Sequence, residues 1–248
     1  MIVIKSKREI DIMKQAGYIV AKTHALLKEE IAAGITTKEI DRLAEEFIKK
    51  ENATPAFKGY QGFPATVCVA RNEAVVHGIP DSTRLESGDI IGLDIGAIYD
   101  GYYGDAARTL AVGEIKPEAK KLLTTTQAAL DTGISQAIAD NRLSDISNAI
   151  QTYVEAEGYS VVRNFVGHGI GSEMHEDPQI PNFGKAGRGP RLKPGMALAI
   201  EPMVNLGTYK VETLDDGWTV VTKDRELSAH FEDTVVVTKQ GPEILTKL

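Results

Sequence analysis

A single cysteine, Cys68, stands in this 248-residue chain, so neither an intramolecular disulfide nor a zinc site built from thiolates can form. A secreted, disulfide-stapled scaffold is excluded, and a reducing cytoplasm is the expected setting. Positive charge is also short. The 28 Lys and Arg stand against 35 Asp and Glu, and the resulting net charge of -7 repels phosphate backbones, so no nucleic-acid substrate is expected. No apolar run approaches the roughly 18 residues that span a bilayer. MIVIKSKREI turns charged early, and neither a membrane anchor nor a signal peptide is expected. The G-x-S-x-G nucleophile elbow is missing, and nothing around Cys68 marks a reactive thiol, which sets covalent catalysis aside. What is present is 42% apolar and 25% charged, enough for a packed core and unlike a disordered or fibrous chain.

The spacing of Ser6 and Glu9 is that of a capping box, and it predicts a helix to about Ile31. Gly34 ends that segment, and Thr36 with Glu39 repeats the signal for a second helix to about Lys50. β-branched runs at 66–70, 89–98 and 102–112 read as strands, the last two joined by Asp100-Gly101. The order then starts again: Pro117 opens a helix to about Ala139, another runs from Leu143 to Glu157, and strands are expected near 159–166, 196–204, 218–222 and 230–238. Arg84-Leu85-x-x-Gly88 and Arg191-Leu192-x-x-Gly195 lie 107 residues apart, and six residues past each glycine sits an acid, Asp94 or Glu201. The same offset carries Leu43 onto Ile150 and Phe47 onto Val154. The expectation is an α+β fold: one domain over 1–248, with two duplicated helix-helix-strands units, about 1–112 and 113–248, forming one sheet with helices against it. Residues 184–194, GKAGRGPRLKP, are the expected exposed loop.

Acids inside apolar strands are the anomaly, because an unpaired buried carboxylate costs several kcal/mol unless it is protonated or bound to a cation. Asp94 sits in IIGLDIG, Asp105 in YYGDAAR, Glu201 in ALAIEPM and Glu232 in HFEDTVVV. One alone reads as a strand-end residue; four together do not. If Asp100 and Gly101 are the whole hairpin loop, Asp94 lies opposite Ala107, and Asp105 is its diagonal neighbour on the same face at roughly 7 Å. A three-residue loop would put the two on opposite faces. Carboxylates that close repel one another unless cations lie between them, and two divalent ions about 3.5–4 Å apart would resolve the conflict. Three of the five histidines, His77, His168 and His175, lie in segments with a similar look, the last two flanked by glycines that would let the backbone approach a ligand. His24 reads as structural, and on balance so does His230, although on a regular strand it would share the Glu232 face and support the acids. Gly167-x-Gly169-x-Gly171 lacks the strand-to-helix context of a phosphate cradle. Oxygen-rich ligation with imidazole favours Mn(II), Fe(II) or Co(II).

The segments NEAVVHGIPD (72–81), GLDIGAIYDGYYGDAART (92–109), GHGIGSEMHEDP (167–178), AIEPM (199–203) and DGWTVVTKDRELSAHFEDT (216–234) resemble the type I methionine aminopeptidases of the pita-bread metallohydrolases, over essentially the whole chain. The resemblance implies a pseudo-two-fold, curved, mostly antiparallel sheet with helices on its outer face. It implies two divalent ions, cobalt, manganese or iron(II), held by Asp94, Asp105, His168, Glu201 and Glu232. In that arrangement Asp94 binds one ion, His168 and Glu201 the other, and Asp105 and Glu232 bridge. A water shared by the ions attacks the first peptide bond, Glu201 shuttles its proton, His175 donates to the carbonyl oxygen, and His77 contacts the scissile amide. The methionine pocket carries over as Tyr60, Phe63, Cys68, Met174 and Trp218, with Met174 standing where an aromatic residue is expected. A sodium or potassium ion on the backbone around Asn72, Ala74 and Ser228 is also implied. The substrate would be a nascent polypeptide beginning with Met and a small second residue, met by a monomer in transient association with the ribosome.

Two rivals remain. A prolidase or Xaa-Pro aminopeptidase shares this kind of metal site but usually carries a large N-terminal domain, whereas the first helix here starts by about Ser6. A catalytically dead binding module would lose metal ligands, and all five are present.

Overall fold

Ser6 caps the first helix as its spacing predicts: its hydroxyl accepts from the Glu9 amide, and the Glu9 carboxylate accepts from the Ser6 amide. Thr36 accepts from the Glu39 amide at the start of the second. In the computed structural model, which describes residues 1–248, the chain runs through α1 (Lys7–Glu30), α2 (Thr37–Lys50), β1 (Thr54–Pro55), β2 (Val67–Arg71), β3 (Ala74–Val76), β4 (Ile90–Tyr99) and β5 (Tyr102–Ala111). It continues with α3 (Pro117–Ser135), α4 (Leu143–Ala156), β6 (Ser160–Val161), β7 (Gly167–Gly169), β8 (Glu176–Ile180), β9 (Ala197–Ile200) and β10 (Met203–Asn205). The last elements are β11 (Val211–Thr213), β12 (Val220–Thr222), β13 (Ser228–His230), β14 (Asp233–Thr238) and β15 (Gly241–Ile244). No helix is long and apolar enough to cross a membrane.

The β4–β5 hairpin has the two-residue loop. Asp100 (φ 46°) and Gly101 (φ 79°) both adopt the left-handed conformation that matches strand twist, Tyr99 faces Tyr102, and Asp94 faces Ala107. Ile91, Leu93, Ile95 and Ala97 alternate with Asp94 and pack against Ile19, Val20, Leu27, Ile40, Ala44 and Ile48 of α1 and α2, so Asp94 points away from those helices. In the second half Leu122, Leu130, Ile146, Ile150 and Val154 cover Leu198, Ile200 and Val235 in the same way.

All strand pairs are antiparallel. The expected single sheet is divided into four hydrogen-bonded groups, of which the largest are β4 with β1, β2 and β5, and the row β15-β14-β9-β7-β8. A seam joins the β4 group to that row and to the row β13-β10-β6. Ala107 and Glu232 exchange both backbone hydrogen bonds (3.3 and 3.0 Å), the Thr109 hydroxyl bonds the His230 amide and carbonyl, and the Thr234 hydroxyl bonds the Asp105 amide and carbonyl.

The two R-L-x-x-G motifs make equivalent contacts. The Arg84 guanidinium donates to the Gly34 carbonyl and that of Arg191 to the Asp140 carbonyl, while the Gly34 and Asp140 amides bond the carbonyls of Leu85 and Leu192. The helices match at an offset one residue shorter than expected: the buried face Ile40, Ala44, Ile48 of α2 corresponds to Ile146, Ile150, Val154 of α4, whereas Leu43 and Phe47 are only half-buried. Other boundaries differ too. The helix expected to reach Ala139 stops at Ser135, and the strand expected near 159–166 forms only at Ser160–Val161. The strand expected over 196–204 breaks at Glu201-Pro202, and that over 230–238 at Phe231-Glu232. Gly167 and Gly169 lie in a strand, and their missing side chains admit neighbouring backbone rather than a ligand: a Cβ there would collide with the carbonyls of Ala199 and Asp177.

Candidate metal centre

The seam concentrates charge. Asp94 comes from β4, Asp105 from β5 and His168 from β7, while Glu201 follows β9 and Glu232 fills the gap between β13 and β14. One ligand atom each of Asp105, His168 and Glu232 lies within 4.8 Å of the others, and the same holds for Glu201, His230 and Glu232. His168 Nε2 is 3.6 Å from Glu201 Oε1 and 3.9 Å from Asp105 Oδ2. Asp105, His168, Glu201 and Glu232 therefore converge, Asp94 lines one cavity with them, and the diagonal placement of Asp94 and Asp105 stands.

Burial pushes Asp94 up to about 7 and Glu201 up to about 8. Asp105 and Glu232 rise well above the ordinary carboxylate range, first through burial and then through their carboxylate neighbours. His168 and His77 are pushed down to about 4, again mainly by burial. Asp94 Oδ1, Asp105 Oδ1 and Glu232 Oε1 are buried without any hydrogen-bond partner. Four carboxylates beside His168, three of them with an orphaned oxygen, are a donor set for hard divalent cations.

These residues form the floor of a cavity of about 150 Å³, whose walls include Tyr60, Phe63, Cys68, Met174 and Trp218 together with His77 and His175. Phe63 meets Trp218 edge-on (5.2 Å between ring centres), and the Tyr60 hydroxyl is 2.7 Å from His175 Nδ1. His77 follows β3 with a positive φ of 61°, a strained conformation of the kind that clusters at functional sites. Asn72, Ala74 and Ser228 lie outside this cavity. The Asn72 carbonyl accepts from the Ser228 amide, and Ala74 pairs with Val221 at the edge of β3. Sequence reasoning missed Phe57 and Gln61 in the walls. It also missed Asn182, whose amide donates to the Glu201 carbonyl, and Arg108, whose guanidinium donates to the Glu232 carbonyl and pairs with Asp233. A polar residue within an apolar stretch was the only sign of either.

The description of metallopeptidase family M24 matches residues 11–239. The chain belongs to that family. A methionine aminopeptidase of Clostridium perfringens is 58% identical over 99% of both chains. The crystal structure of methionine aminopeptidase from Thermotoga maritima superposes with a TM-score of 0.99 at 46% identity over the whole of both chains. The prolidase of Pyrococcus furiosus superposes with a TM-score of 0.82 at 27% identity, over 99% of this chain and 66% of the prolidase. This M24 peptidase has the pita-bread fold and is a metal-dependent hydrolase. The orphaned carboxylate oxygens fit the divalent metal that the family implies.

Proposed function

We propose that this chain removes the N-terminal methionine from polypeptides whose second residue is small, using two divalent ions. The observation that carries the reading is the closed neighbourhood of the acid cluster and an apolar slot in one cavity, as wide as a side chain and lined by sulfur and aromatic faces. The relatives named methionine aminopeptidases support the same side-chain choice.

Asp94 would hold one ion, His168 and Glu201 the other, and Asp105 and Glu232 both; four carboxylates cancel the formal charge of two divalent ions. When bound, the ions supply the positive charge that acidifies a water near neutrality and polarises a peptide carbonyl. Glu201 takes the proton of the attacking water and returns it to the leaving amine. The Tyr60 hydroxyl lies 2.7 Å from His175 Nδ1; in this reading it donates there, which would leave the imidazole proton on Nε2 for the oxygen that gains charge. His77, kept neutral at pH 7 by burial, contacts the amide on the leaving side. Tyr60, Phe63, Cys68, Met174 and Trp218 enclose the methionine side chain, and Met174, three rotatable bonds long, makes that wall adaptable. The same reading restricts the second residue to small side chains, since bulk there would meet the site wall.

The same reading makes residues 1–248 one catalytic domain with pseudo-symmetric halves, supported by the equivalent contacts of Arg84 and Arg191. A cytoplasmic monomer in transient contact with ribosomes goes with it, as does a monovalent cation near Asn72, Ala74 and Ser228. Cobalt, manganese and iron(II) all suit the donor set.

The test is cleavage by chelator-treated protein, with and without added Mn(II) or Co(II), of Met-Ala-Ser and Ala-Pro-Ser. Release of free methionine only with metal is the expected result. Preference for Ala-Pro-Ser would move the chain to the proline-directed branch, and no cleavage despite bound metal would leave a binding module.

A further inference from the structure

None of the roles above uses His230, yet the residue is 3% exposed and its Nε2 is buried without a hydrogen-bond partner. That nitrogen lies 3.5 Å from Glu201 Oε2, on the opposite oxygen from the one His168 approaches. It also falls within the 4.8 Å group formed with Glu201 and Glu232.

The position is not an accident of a loose ring. The His230 amide donates to the Thr109 hydroxyl, which donates in turn to the His230 carbonyl, each at 2.9 Å, and His230 pairs with Met203 across β10 and β13. The backbone is thus tied to both sheets at the seam where Asp105 and Glu232 meet. A burial of this kind is costly for an imidazole nitrogen that has nothing to bond.

We propose that His230 is a positioning residue for the metal centre: its Nε2–H donates to the free oxygen of Glu201 and keeps that carboxylate aimed at the ions. The inference rests on the metal-centre reading above. Glu201 then stands between two imidazoles, His168 beside one oxygen and His230 beside the other. A ligating carboxylate held by a hydrogen bond on its second oxygen keeps one orientation, and losing such a partner typically weakens metal affinity 10–100-fold. A donor explains the site better than a sixth ligand does, because four carboxylates and one imidazole already balance two divalent ions.

Cobalt(II) titration of the chelator-treated protein separates the possibilities, followed by equilibrium dialysis and by visible absorption. His230→Gln keeps an N–H at similar reach and is expected to bind cobalt nearly as the parent does, with the same absorption bands. His230→Leu keeps the bulk without the donor and is expected to bind roughly 10–100-fold more weakly. If the leucine variant does not fold, as judged by its far-ultraviolet circular dichroism, His230→Asn, polar but too short to reach Glu201, takes its place with the same expected weakening. Parental affinity in the leucine or asparagine variant would overturn the proposal. Equal weakening in the glutamine variant with a changed cobalt spectrum would overturn it in favour of direct ligation. A parent protein that binds no cobalt would sink the metal-centre reading itself.

Discussion

A carboxylate in the middle of an apolar strand has to be neutral, paired or metal-bound, and for that reason the four acids here are legible from their neighbours in the chain. Asp94 shows it: leucine and isoleucine flank it on the helix side, and the opposite face carries the other acids. The histidines are less legible. His168 and His175 owe their place to the resemblance, since glycine-flanked histidines carry no period, and the regular strand that put His230 beside Glu232 is in fact broken between them. Two predictions belong to this scale. On the proposed mechanism Glu201→Gln removes the proton carrier at constant volume, and methionine release should fall roughly 10²–10⁴-fold in a peptide assay. Tyr60→Phe leaves His175 Nδ1 without its partner; kcat should fall about 3–10-fold, the worth of one hydrogen bond, with dialysed metal content unchanged.

Elements deliver these side chains by where they stop. β9 ends at Ile200 and β13 at His230, so Glu201 and Glu232 sit at interruptions where the chain leaves the ladder and the side chain turns into the cavity. Periodicity cannot show such a break, because the residues on either side remain buried. The helices, by contrast, were legible to within a residue at all four of their starts, because caps and a proline in the first turn are local signals. Close approach of helix and sheet is a further element-level device. A Cβ on Gly104 of β5 would lie 2.6 Å from the Gly17 amide nitrogen in α1. Gly104→Ala should therefore destabilise the fold by about 1–3 kcal/mol through overpacking, read as a lower urea midpoint.

At the scale of the molecule the proposed metal centre would be a staple across the seam between the halves. Removing the ions leaves repelling carboxylates, so chelation should lower the melting temperature and added Mn(II) should restore it. An unchanged melting temperature would count against a buried dinuclear cluster. The pH dependence follows from the same groups. In the metal-free protein Asp94 is pushed up to about 7 and Glu201 up to about 8, whereas unfolded carboxylates titrate near 4. The folded state then holds more protons than the unfolded state, and stability falls as pH rises through 7 to 8. His77, His168 and His230, pushed down to about 4, act with the opposite sign, but only below about 6.5, where unfolded histidine takes up its proton. Thermal scans of chelated protein between pH 6.5 and 8.5 should show a falling melting temperature, and metal affinity should rise over the same interval as protons leave the carboxylates.

The amino-acid sequence by itself determined the helix starts, the β4–β5 hairpin with Asp100-Gly101 in its turn, the repeated R-L-x-x-G motif and the identity of the acids. All of these depend on neighbours a few residues away: a cap, a two-residue turn, an alternation of faces. The tertiary structure alone decided that Ala107 and Glu232 share backbone hydrogen bonds, that strands end at Glu201 and Glu232, and that the helices of the two halves align one residue off the motif's spacing. It also placed His230 against Glu201, across a sequence separation that no local pattern spans. The physical reason is the same in each case. These features arise where two sheets meet, and the energy that selects them belongs to groups that become neighbours only after the halves have closed.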